Sequence, residues 1–194
     1  IESATGRTAT STGGFTLTNG SGLASNYSIS SNNFVITKKP VNLTGSKTYD
    51  GTTASSASAL TVNSGLVGSE TLVLSGSGTL NTANAGTNSI TSNASGVSLG
   101  DGSNGGLAAN YTLTGGTHQM TVGQRGVILS GSRLYDSTTT ASSSDFSNIT
   151  GTVGSETLNI TGSGTLGNAN VGSNKSITLG SIALADGSNG GLAA

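Results

Sequence analysis

The sequence predicts an all-β protein of tandem repeat domains, antiparallel β-sandwich-like or β-grasp-like units strung into an extended rod. Three observations predict it. Long segments return in the same order at a spacing of about 85 residues. Within each copy, apolar residues alternate with polar ones over short runs, the period of a strand with one face in a core. The runs are separated by Gly, Asn, Asp and Ser clusters, and Gly supplies 32 of the 194 residues, too many for helix interiors.

The repetition is extensive. Val41 to Thr53 (VNLTGSKTYDGTT) returns as Val127 to Thr139 (VILSGSRLYDSTT). Gly65 to Leu80 (GLVGSETLVLSGSGTL) returns as Gly151 to Leu166 (GTVGSETLNITGSGTL), and Asp101 to Ala109 (DGSNGGLAA) reappears unchanged as Asp186 to Ala194. Gly22 to Ile29 (GLASNYSI) matches Gly106 to Leu113 (GLAANYTL), and Phe34 to Pro40 stands in the place of Met120 to Gly126. Residues 1–40 therefore read as the C-terminal part of a truncated copy, 41–126 as a complete copy and 127–194 as a further truncated copy. Both ends fall inside copies, so the sequence reads as a window cut from a longer array.

Each element has its own signal. Val41 and Leu43 alternate with polar neighbours, and Val127 and Leu129 stand at the equivalent positions of the next copy. Leu72 and Leu74 alternate with Thr71 and Val73 in the next strand, Leu158 and Ile160 with Asn159 between them are the counterparts, and Tyr111 and Leu113 mark a late strand. The Gly-Ser, Asn-Ala, Asp-Gly and Gly-Gly clusters between them are turn chemistry. A parallel β-helix with coils of about twenty residues is the rival architecture. Val41 to Gly126 holds no sub-repeat of that length, so discrete β-domains are preferred.

Composition excludes several function classes. Seven basic and eight acidic residues leave a net charge of −1, without the basic patch and stacking aromatics of a nucleic-acid groove. No window reaches the ~20 apolar residues of a membrane span. Cys is absent, which rules out disulfides and thiolate metal sites and suits export through an oxidising compartment.

Tyr49-Asp50-Gly51-Thr52-Thr53, with Tyr135 and Asp136 in the next copy, is the sharpest local motif. It reads as a structural turn in which Asp accepts backbone N–H bonds two residues on. Ser137 in place of Gly51 fits such a turn if φ there is not positive. The DGSNGG loops offer one carboxylate per copy where calcium takes six to eight oxygens, so they read as hairpin loops. His118 is the sole His and reads as a surface residue, without the nucleophile and carboxylate of a triad. Glu70 and Glu156 are equivalent positions in successive copies, not two acids facing one substrate. Lys47 would be the nucleophile of an isopeptide cross-link, but Arg133 replaces it in the next copy and cannot react so. Asn26, Asn42, Asn110, Asn148 and Asn159 head glycosylation sequons. No catalytic, cofactor or metal site is expected, and no enzyme activity.

In combination, the YDGTT turn (Tyr49 to Thr53), VGSETL, NAGTNSI, the Asp-Gly loop and Ala109-Asn110-Tyr111-Thr112-Leu113 resemble the YDG-type and related MBG repeats. The first copy departs with Asn26-Tyr27-Ser28 and the third with Ser137. These repeats occur in large haemagglutinin-like adhesins of Gram-negative bacteria, many exported by two-partner secretion. The resemblance implies secretion to the outer cell surface and a non-catalytic stalk or biofilm-matrix fibre whose partners are neighbouring repeats of the same chain. The alternative is an adhesive module that binds surface glycans or other copies of itself through exposed loops or edge strands.

Overall fold

The computed structural model describes residues 7–8, 19–27 and 33–193. It is built of short strands and open sheets. The first pair, β1 (Arg7–Thr8) and β2 (Asn33–Phe34), is antiparallel. β3 (Lys39–Pro40) leads into the complete copy: β4 (Asn42–Thr48), β5 (Ala54–Ser56), β6 (Leu60–Ser64), β7 (Leu72–Thr79), β8 (Gly86–Ser89), β9 (Val97–Asp101), β10 (Tyr111–Thr112) and β11 (Gln119–Gly123).

These strands form two layers. One sheet runs β6-β4-β11-β8 and the other β5-β7-β9. The facing sides are filled by Leu43, Leu60, Met120 and Val122 from the first layer and Leu80, Ile90, Ala94 and Val97 from the second region of chain. Alternation along β11 puts Met120 and Val122 inside, 0 % and 1 % exposed, between exposed Gln119, Thr121 and Gly123. Among the described residues the named strands pair antiparallel except that β11 lies parallel to β4, beside a parallel Leu43–His118 bridge, and β10 parallel to β3. The expected antiparallel sheet is thus mixed. The chain crosses through the second layer before its last strand returns, so β11 enters beside the first strand in the same direction. The order second-first-last-third is the β-grasp arrangement.

The next copy repeats the pattern: β12 (Ile128–Gly131), β13 (Thr140–Ser142), β14 (Phe146–Thr150), β15 (Leu158–Thr161), β16 (Ser163–Leu166), β17 (Ile177–Thr178) and β18 (Ala183–Asp186). Registers are reproduced: Ala54 faces Thr79 as Thr140 faces Thr165, and Leu72 faces Asp101 as Leu158 faces Asp186. Leu129, Phe146 and Leu166 are only half-buried, where Leu43, Leu60 and Leu80 are buried.

Two local features differ from the sequence reading. His118 is buried, 4 % exposed, with Nε2 2.8 Å from the Leu113 carbonyl. The Gly115-Gly116 turn brings the chain so close to Val41 that the imidazole is folded beneath it. Between β8 and β9, Ser92, Asn93 and Ala94 take left-handed φ values of 53°, 52° and 55°. Small side chains permit this turn, which drives Ala94 fully into the core.

Candidate functional site

The motifs singled out in the sequence converge on one carboxylate per copy. The YDG turn begins where β4 ends. Asp50 Oδ1 accepts the Thr52 N–H at 2.9 Å, closing an Asx turn. Lys47, three residues earlier, lies across the turn and donates to Asp50 Oδ1 (2.9 Å), the Thr52 carbonyl (2.7 Å) and the Ala54 carbonyl (2.9 Å). Arg133 reproduces the arrangement, donating to Asp136 Oδ2 (3.0 Å) and to the Thr138 carbonyl (2.5 Å) and the Thr140 carbonyl. Lys47 and Arg133 interchange because the turn needs a cation among carbonyl oxygens, which either supplies.

Gly51 and Ser137 both sit at positive φ, +75° and +64°. The expectation that Ser stands here because φ need not be positive is therefore wrong: the Asx turn imposes the left-handed conformation, and Ser137 is strained in it. Ser137→Gly is expected to stabilise the second copy by about 0.5–1 kcal/mol, read as a raised denaturation midpoint. An unchanged midpoint would show that the strain is relieved elsewhere.

Lys47 first, and then the Thr52 amide, hold the Asp50 carboxyl down at about 2. A carboxyl depressed on folding contributes stability above its unfolded value, near pH 4, and that contribution fades as the pH falls towards 2. Asp50 is half exposed, so the effect is screened and small. Asp50→Asn should flatten the acid limb of a stability–pH curve between pH 4 and 2, and a slope identical to the parent would refute this assignment.

The DGSNGG loop clasps the SET segment of its own copy. Ser103 N–H donates to Thr71 Oγ1 (2.7 Å), Asn104 Nδ2 to the Ser69 carbonyl (2.9 Å), and Asp101 Oδ1 accepts the Ala108 N–H (2.8 Å). Ser188, Asn189 and Asp186 do the same with Thr157, Ser155 and Ala193. A Cβ on Gly106 would lie 1.9 Å from the Thr71 carbonyl oxygen, so only glycine admits this contact. The aspartates are thus occupied as caps. Among the described residues, no three His, Asp or Glu side chains gather as a metal cluster.

Glu70 and Glu156 emerge from these clasped segments. Tyr111, only 3 % exposed, donates its hydroxyl to Glu70 Oε2 and accepts the Val67 N–H at 3.1 Å. Tyr49 donates its hydroxyl to Glu156 Oε1 at 2.5 Å, across the boundary between copies, and this bond raises its phenol above the ordinary 10.0. Beside it Gly51 meets Val153, where a Cβ would come 3.0 Å from Cγ1, and Arg125 Nε donates to the Gly151 carbonyl at 2.6 Å. A groove of about 780 Å³ follows the boundary, lined by Tyr49, Arg125, Val153 and Glu156 among others.

The remaining motif residues are placed simply. Asn26 and Asn110 close equivalent one-turn 3₁₀ segments, with N–H bonds to Leu23 (3.1 Å) and Leu107 (3.0 Å). Tyr27 is 71 % exposed and Tyr135 65 %. Thr53 offers its carbonyl to Leu80 N–H at 2.7 Å, tying the turn to the second sheet. Sequence reasoning set aside Glu70, Glu156 and Lys47 because it sought reactive groups. The signal was present in the Lys/Arg-x-x-Asp spacing and in one Glu per copy inside an otherwise neutral segment.

No curated protein and no solved structure matches the chain. A family model described as the YDG domain matches it twice, over residues 37–122 and 118–193, and the chain belongs to the YDG domain family.

Proposed function

We propose that this chain is a non-catalytic spacer: consecutive YDG copies forming part of an extended fibre of a secreted adhesin on the outer surface of a Gram-negative bacterium. The observation that carries the reading is the contact of Tyr49 and Gly51 with Glu156 and Val153, which ties one copy to the next by side chains as well as by the connecting peptide. The Asp50 and Asp101 carboxylates are spent on turns and caps within the protein, as expected of a part that holds distance rather than processes a ligand. Stacked repeats gain stability from their neighbours, and the gain rises with copy number.

Small-angle scattering of proteins carrying two, four and six copies tests this. The maximum dimension is expected to grow in proportion to copy number, with a constant cross-section. A dimension that levels off would reject the spacer reading. Fractionation of the source bacterium with an antibody to these copies tests location, and signal confined to the cytoplasm would reject the surface assignment.

A further inference from the structure

The first and last strands of the four-stranded sheet β6-β4-β11-β8 lie side by side at its centre and run the same way. Thr121 pairs with Ser46, Val122 with Lys47 and Gly123 with Thr48, and a parallel bridge joins Leu43 to His118. Further bonds fasten the same two stretches. Val41 N–H donates to the Thr112 carbonyl (3.0 Å), Leu43 N–H to the Thr117 carbonyl (3.1 Å) and Tyr49 N–H to the Gly123 carbonyl (2.8 Å). Thr117 N–H donates to Asn42 Oδ1 at 2.6 Å. At the entry, Tyr111 and Thr112 pair in parallel with Lys39 and Pro40. Residues 39–49 are thus held at both ends and in the middle to residues 111–123.

The chain enters this copy at Pro40 and leaves it through Gln124 to Val127, into the junction where Arg125 holds the Gly151 carbonyl. Because β4 and β11 are parallel, the entry end of β4 and the exit end of β11 lie at opposite ends of the pair. Tension along the chain pulls β4 one way and β11 the other. The bonds between them are then loaded in shear and must yield together. Antiparallel end strands would put both attachment points at one end, and the bonds would open one after another. Neither strand can peel away sideways, since β6 flanks β4 and β8 flanks β11. On their inner side Leu43, Met120 and Val122 are buried, which keeps water from replacing the backbone bonds as they stretch.

We propose that the complete copy is a mechanical clamp: the parallel β4–β11 pair bears tension applied through the chain and holds the copy at fixed length until it ruptures. The sheet β5-β7-β9 lies off this path and serves as the opposite wall of the core. Resistance to a pull follows the unfolding barrier in the pulled direction, not the equilibrium stability. No residue is released before the central pair breaks, so the copy gives way in one step. That step frees about 85 residues, on the order of 250 Å of chain. The use of such a clamp rests on the spacer reading, which gives the chain a load to carry; the clamp itself rests on strand direction and register.

Because the chain has no Cys, pulling points can be placed one by one for single-molecule force spectroscopy of the full chain. Lys39→Cys with Gly126→Cys loads the pair in shear, and a Cβ at Gly126 meets nothing within 4 Å. Lys39→Cys with Thr114→Cys pulls on the adjacent starts of the two strands, and Thr48→Cys with Gly126→Cys on their adjacent ends, so both of these peel. All four positions are exposed. Each peeling protein shares one substitution with the sheared one. The rupture force is expected to be severalfold higher between 39 and 126 than in either peeling protein, with the release in a single step. Denaturation midpoints without load are expected to agree among the three. A shear force no higher than the peeling forces would overturn the clamp, as would forces that merely rank with the unloaded midpoints. Copies that scatter as a rod yet show no directional resistance would remove the clamp and leave the spacer; directional resistance with a dimension that levels off would do the reverse.

Discussion

Met120→Ala is expected to destabilise the complete copy by about 3 kcal/mol, within the range for emptying a fully buried site. Met120 is 0 % exposed and stands on β11, the strand shared by β4 and β8 at the middle of the mixed sheet. It belongs to the cluster of Leu43, Leu60, Leu80, Ile90 and Val97, so its loss opens a cavity between the layers rather than at a rim. Strands on both sides of β11 restrict collapse into that space. Leu129→Ala, at a half-buried position in the next copy, should cost well under half as much, because mainly the transfer term is lost there. Chemical denaturation followed by tyrosine fluorescence separates the two; the chain has no Trp, and Tyr111 is buried in the copy being tested. Equal costs at the two sites would show that β11 is not the centre of the core.

Lys47→Met is expected to cost about 2 kcal/mol, and Lys47→Arg within about 0.5 kcal/mol of nothing. The comparison is decisive because the protein already contains the second variant: Arg133 holds the equivalent turn. Exposed ion pairs contribute little, so the bond to Asp50 is a minor part. The greater part comes from the Thr52 and Ala54 carbonyls, which lose a cationic donor whose side chain is only 13 % exposed. Methionine keeps the length of the stem without a donor. Thermal or denaturant midpoints of the three proteins measure the effect. Should Met and Arg at position 47 behave alike, the cation would be incidental and the Asx hydrogen bonds alone would hold the turn.

The same turn has a consequence for the junction. It fixes where Tyr49 points, because the backbone of Tyr49 is held by Gly123 at 2.8 Å and the loop after it by Lys47. A loosened turn would therefore act at two places, on the fold of its own copy and on the contact with Glu156. Denaturation of the unit and cross-linking at the junction read these separately.

Much of this was legible from the residues alone. Period-2 alternation at Val41–Leu43, Leu72–Leu74 and Tyr111–Leu113, between Gly- and Asn-rich breaks, dictates short strands with one apolar face, and tandem copies of one sequence dictate tandem copies of one fold. Alternation is a local property, so local reading recovers it. The parallel central pair and the burial of His118 depend instead on where distant segments arrive. The partners of the two tyrosines were set by tertiary structure alone: Tyr111 and Glu70 are 41 residues apart, and Tyr49 and Glu156 107. No spacing rule reaches across such distances, because the loops between them close only when the two layers bury their apolar faces together.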